Sequence, residues 1–260
     1  MTATSQVEYN VENYIATVSL NRPPVNALTR QLIVDIIAAL RQAGEDDDVR
    51  VVILTSSLEK VFCAGLDLEI VSAGDAQVMR GFLEKLYMEL FDVQYRLGKP
   101  SIAAVSGAAR AGGMTLAVSC DMIVAADSAS FGYPEIDVGI IPALHFVHLP
   151  RQIGRNRAFE LLFTGESFKA QEALDLGIVN HLVPKNQVME KAQQIAAKFA
   201  KKSPLVMRMG RNAWMRANDL DYRRNIENVA ETMCTIVETE ESKEGLRAFL
   251  EKRPPNWNKP

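Results

Sequence analysis

The chain has 260 residues, 48% hydrophobic and 23% charged, an ordinary globular balance that excludes a disordered or fibrous protein. Lys and Arg number 29 against 32 Asp and Glu, so no basic footprint for DNA or RNA is present. Cys63, Cys120 and Cys234 form neither a CxxC nor a zinc spacing, and such a sparse, odd set predicts a reducing compartment. His145, His148 and His181 make no recognised zinc motif, so no metal is expected. The start, MTATSQVEYN, lacks the basic and apolar regions of a signal peptide, and Arg110, Asp121 and Asp127 interrupt the most apolar stretch. The expectation is a cytoplasmic protein with no membrane segment.

In chain order, residues 6–20 alternate around a polar turn at Asn10–Asn13 and predict a β-hairpin. After a Pro-Pro loop, Thr29 is placed to cap a helix whose Leu32, Ile33, Ile36, Ile37 and Leu40 recur at helical spacing. VVILTSS then reads as a strand buried on both faces. The pattern repeats: a helix over 77–97 ended by Pro100, a second buried strand SIAAVSG, a third helix from Ala111–Gly112 to Ser119, and a third strand MIVAAD. This repetition predicts right-handed crossovers and a largely parallel sheet, with Cys63–Asp67 and Ala109–Gly113 at strand C-terminal ends, where ligand crevices open. From about residue 151 the signals are mainly helical. A boundary is expected within 190–205, dividing a core of residues 1–195 from a helical region of residues 196–260. The last portion is amphipathic and suited to packing on a neighbour rather than on its own core.

Two glycine-containing turns, FCAGLDL (Phe62–Leu68) and GAARAGGMTL (Gly107–Leu116), match no phosphate loop. Such turns free backbone N–H groups from strand pairing, and two of them converging on one carbonyl oxygen make an oxyanion hole. Ordinary strand–helix turns are the competing reading. In FGYPEIDVGIIP (Phe131–Pro142), Glu135 has Tyr133, Ile136, Ile140 and Ile141 around it. That apolar setting raises a carboxyl pKa and suits a general acid or base.

These segments, followed by LLFTGE, AQEALDLGIVNHLVP and EGLRAFLEKRPPNW, together resemble the crotonase, or enoyl-CoA hydratase/isomerase, superfamily over essentially the whole chain. The resemblance implies an α/β fold, a ββα spiral core with a helical C-terminal trimerisation portion, assembled as a homotrimer or dimer of trimers. It implies an acyl-CoA thioester substrate with no separate cofactor, coenzyme A being part of that substrate. The oxyanion donors would be the backbone N–H groups of Leu66 and Gly112. Of the family's two catalytic glutamates, Glu135 matches the second, while the first falls on Thr115. Contacts to coenzyme A would come from Cys63 and Ala64, with Lys60 and Arg22 as candidates for the phosphates, and Phe249 and Lys252 reaching in from a neighbouring subunit. His145 and Phe146 are candidates for the acyl pocket, and His145 or His148 for supplying a proton; one surface histidine and one packed beside the loop is the plainer alternative.

Threonine is no base near neutral pH, and a single carboxyl suffices for a 1,3-proton shift. The sequence-based expectation is therefore isomerisation of 3-enoyl-CoA to 2-enoyl-CoA. The alternative is an enoyl-CoA hydratase in which Thr115 and another group hold the water. Further alternatives are a thioester hydrolase or dehalogenase-like member, and a non-catalytic protein of this fold that binds CoA or RNA or serves as a scaffold.

Overall fold

The computed structural model describes residues 5–72, 75–218 and 222–257. The first four residues of the amino-terminal stretch, part of the 77–97 helix's approach, part of the stretch after Pro204 and the last three of the tail lie outside them. Val7–Glu12 (β1) and Ile15–Leu20 (β2) form the expected hairpin, with its turn at Asn13–Tyr14, where φ is 52° and 66°, rather than at Asn10–Asn13. The alternation of Val7, Tyr9 and Val11 carries the first strand through to Glu12. Arg30–Glu45 (α1) follows, and the Thr29 side chain accepts a hydrogen bond from Leu32 N–H at its start. Next come Val51–Ser56 (β3), the short Val61–Cys63 (β4), Leu68–Ser72 (α2) and Ala76–Leu83 (α3). A π-helical turn over Glu84–Glu89 joins α3 to Leu90–Arg96 (α4).

Ser101–Val105 (β5), Ala108–Arg110 (β6), Gly112–Ser119 (α5), Met122–Ala126 (β7) and Ser130–Gly132 (β8) complete the alternating section. A 3-10 turn over Pro134–Val138 leads to Ala143–Ile153 (α6) and Arg155–Thr164 (α7). Ser167–Lys169 (β9), Ala170–Asp175 (α8), His181–Val183 (β10) and Val188–Ala200 (α9) precede three final helices, Pro204–Asn218 (α10), Tyr222–Val237 (α11) and Glu240–Leu250 (α12). Among the described residues no helix is long and apolar enough to cross a membrane.

Two sheets form where the sequence predicts one. The larger runs β1-β2-β3-β5-β7-β10 and is parallel apart from the hairpin. The smaller runs β4-β6-β8-β9, with β4, β6 and β8 parallel. Its strands have three residues each, too few to show periodicity. Helix α5 is buried along its whole length and connects the two sheets.

The C-terminal region departs from expectation. The chain breaks at Lys201–Ser203, within the expected 190–205 and before Pro204 opens α10, while position 195/196 itself lies inside α9, whose Ala196 and Ala200 are buried. Helix α11 packs on α3 and α6 of its own chain, and α12 on the 3-10 turn, so this part is no free arm. Ile226, Met233, Cys234, Val237 and Leu246 are buried there, because the amphipathic stripe that could cover a neighbour covers the chain's own helices. Helix α10 differs: Leu205, Val206, Met209 and Trp214 stay exposed, while buried Arg211 anchors it through an ion pair to Asp121 at 2.9 Å.

Candidate active site

Three neighbouring parallel strands of the small sheet each deliver one part of the site. β4 runs into the loop bearing Leu66, β6 into the start of α5 at Gly112, and β8 into the 3-10 turn bearing Glu135. Parallel pairing sets their C-terminal ends side by side. The first two ends touch backbone to backbone: a Cβ added at Gly113 would lie 2.2 Å from the Cys63 carbonyl oxygen, so only glycine fits there.

Both expected donors are available. A parallel bridge between Leu28 and Leu66 uses the Gly65 carbonyl and the Asp67 N–H. Strand geometry then turns the Leu66 N–H to the opposite side, where no described group accepts it. Gly112 is the first residue of α5, and its N–H has no intrahelical acceptor. Ala111, just before it, holds φ 50° and ψ −118°, a strained conformation for a residue with a Cβ.

Glu135 is 5% exposed, and burial pushes its carboxyl from 4.5 up to about 8, opposed only by a bond from its own backbone N–H. Its Oε2 has no partner among the described residues. The chain's own C-terminus backs this turn: a Cβ at Gly245 of α12 would come within 2.6 Å of the Val138 carbonyl carbon. Two tyrosines face Glu135, Tyr133 and Tyr87, and burial followed by the Glu135 charge raises both phenol pKa values. The Leu144 backbone at the start of α6 partly opposes the rise at Tyr87. In the sequence Tyr133 reads only as part of the apolar surroundings of Glu135, while nothing local to Tyr87 marks its place beside that carboxyl.

Thr115 and His145 are both fully buried and meet at 3.3 Å, Oγ1 to Nε2. Desolvation lowers the His145 pKa from 6.5 to about 3, so the ring stays neutral. The Tyr133 ring packs on it with centroids 4.5 Å apart. Phe146, one residue on, instead stacks on Phe163 at 5.4 Å, because successive helical residues point in different directions. His148 is partly exposed and bonds Gln152 at 3.0 Å.

Of the coenzyme A candidates, Ala64 and Lys60 are exposed beside the first loop. The Cys63 side chain is buried, its Sγ donating to the Asn26 carbonyl, and burial pushes the thiol up to about 12, so only its backbone is available for contact. Arg22 is engaged by Asp67 at 2.8 Å and by the Ala27 carbonyl, which ties the Pro-Pro loop to the Leu66 loop. Phe249 and Lys252 are exposed on and just beyond α12.

The model of the enoyl-CoA hydratase/isomerase family matches residues 10–260. A probable enoyl-CoA hydratase of Bacillus subtilis is 34% identical, covering 95% of this chain and 96% of that protein. A crotonyl-CoA hydratase of Syntrophomonas wolfei is also 34% identical, over 95% of each chain. The crystal structure of an enoyl-CoA hydratase from Bacillus anthracis superposes with a TM-score of 0.78 at 35% identity, covering 97% of this chain and 98% of that one. With the family model, these relatives and the fold in agreement over nearly its whole length, the chain belongs to the enoyl-CoA hydratase/isomerase, or crotonase, family of acyl-CoA enzymes.

Proposed function

We propose that the protein reversibly adds water across the C2=C3 bond of a 2-enoyl-CoA thioester. The observation that carries this reading over isomerisation is the similarity, at 34–35% identity over nearly the whole chain, to proteins named as hydratases; the raised pKa of Glu135, about 8, agrees with it by leaving the carboxyl protonated at neutral pH. Hydration of an enoyl thioester calls for an acid at C2 from the start. Isomerisation calls for a base there first, and a protonated carboxyl is none.

One carboxyl can serve both ends of the addition. The water oxygen bonds to C3, the C2=C3 electrons move toward the thioester oxygen, and the Leu66 and Gly112 N–H groups stabilise that oxygen. Glu135 gives its hydrogen to C2, and its other oxygen takes one from the water. Thr115 contributes a hydroxyl for the water oxygen. The lack of a second carboxylate at 115 favours isomerisation as the second reading. The exposed apolar side chains of α10 support assembly into trimers, and three buried free thiols support a reducing, cytoplasmic setting.

The test is to mix the enzyme with crotonyl-CoA and with a 3-enoyl-CoA ester across pH 6 to 10. Loss of conjugated absorbance from crotonyl-CoA, with kcat/KM falling as pH rises past about 8, is the expected result. A gain of conjugated absorbance from the 3-enoyl ester that strengthens over the same range would make it an isomerase. Inactivity on both, with binding retained, would leave a CoA-binding protein.

A further inference from the structure

Thr115 lies in the middle of α5, where a threonine hydroxyl ordinarily bonds back to the carbonyl four residues earlier, here that of Ala111. In this chain His145 takes that place. Among the described residues Thr115 Oγ1 is the side-chain partner of the His145 ring, and the buried Nδ1 has none. Thr115 Oγ1 lies 3.3 Å from Nε2, and with the hydrogen on Nε2 the ring donates and the Thr115 hydroxyl hydrogen is left free. Packing of the Tyr133 ring against the imidazole and the His145 N–H bond to the Pro142 carbonyl hold the ring in this position.

We propose that His145 is a positioning residue which, by donating Nε2–H to Thr115 Oγ1, turns the Thr115 hydroxyl hydrogen away from the helix and toward the oxygen that joins or leaves C3. This rests on the hydratase reading. In hydration the water oxygen accepts the Thr115 hydrogen bond, and its lone pair attacks C3. One water hydrogen passes to Glu135, whose own hydrogen goes to C2. In dehydration the same hydroxyl stabilises the departing oxygen. Neither Thr115 nor His145 gains or loses a proton, so a neutral histidine is the form required.

His145→Phe keeps a ring against Tyr133 and removes both nitrogens. Hydration of crotonyl-CoA by this variant should lose about tenfold to hundredfold in kcat, the scale of a misplaced reacting group, with KM little changed. Exchange of the C2 hydrogens of butyryl-CoA in D2O, run above pH 8 where Glu135 is a carboxylate, needs only that base and the oxyanion donors, and should persist. His145→Gln, which returns an N–H at similar reach, should recover much of the loss. Thr115→Val should match His145→Phe, and the double variant should be no worse than either single. Equal loss of hydration and exchange in His145→Phe, unchanged hydration, or losses that multiply in the double variant would overturn the proposal. If His145→Phe does not fold, wild-type hydration rates in Thr115→Val would do the same. A parent enzyme that exchanges C2 hydrogens but hydrates nothing would overturn the hydratase reading, and this role with it.

Discussion

The two halves of the proposed active site are made of different material. On one side, Leu66 and Gly112 offer backbone N–H groups at the ends of adjacent strands, and their availability follows from strand direction and from a helix start. On the other, Glu135, Thr115, His145, Tyr133 and Tyr87 are buried side chains whose protonation and hydrogen-bond directions depend on one another. The backbone half carries no titratable group and is open to failure through steric displacement. The side-chain half tolerates no change of a single atom at its acid and responds to pH. Electrostatic stabilisation and proton transfer are thus assigned to separate, differently vulnerable elements.

The sharpest break in the side-chain half is Glu135→Gln. The amide keeps shape but carries no transferable proton, so turnover should fall by about 10²–10⁴-fold while CoA-ester affinity, measured by calorimetry, holds within a few-fold. The matching break in the backbone half is Gly113→Ala. Its Cβ would meet the Cys63 carbonyl oxygen at 2.2 Å and force the two donor loops apart. A loss of about 10²–10³ in kcat is expected, with no change in the shape of the pH profile, measured by steady-state kinetics at several pH values.

A smaller effect separates the halves through stability. The Glu135 pKa is about 8 in the folded protein against 4.5 ordinarily. The folded state therefore holds the extra proton between those values. The stability this contributes is complete below pH 4.5 and is lost as pH rises toward about 8, by up to about 1.4 kcal/mol per pH unit. Thermal or urea melts of Glu135→Gln should show it gaining stability relative to the parent over that window and levelling above it. His145 acts in the opposite sense at the acid end: with a folded pKa of about 3 against 6.5, its share is present above pH 6.5 and lost as pH falls toward 3. Comparing parent and variant at each pH cancels that share. The smallest expected effect is at Ala111→Gly. Relieving φ 50°, ψ −118° should raise stability by about 1 kcal/mol in a denaturant melt, with activity within a few-fold of the parent.

Much of this molecule was legible along the chain. The Thr29 cap, the buried strands Val51–Ser56, Ser101–Val105 and Met122–Ala126 and the helix from Gly112 to Ser119 lie where local pattern placed them, because capping, β-branching and helical spacing act over a few residues. The glycine turns and the apolar setting of Glu135 were readable for the same reason, while the departure at Thr115 shows only through the resemblance to the family's pair of glutamates. The small sheet was not, since strands as short as Val61–Cys63 and Ala108–Arg110 exist only through their pairing. The direction in which the final helices pack was also hidden: an apolar stripe specifies that something covers it, and only α3, α6 and the turn beneath α12 decide what. The same holds for the chemistry. Residue types announced one acid and one hydroxyl, but the raised pKa of Glu135 comes from burial, and Thr115 meets His145, thirty positions away, only in the folded chain. Desolvation and hydrogen-bond direction are properties of the surroundings, and those surroundings arise only when distant segments are packed together.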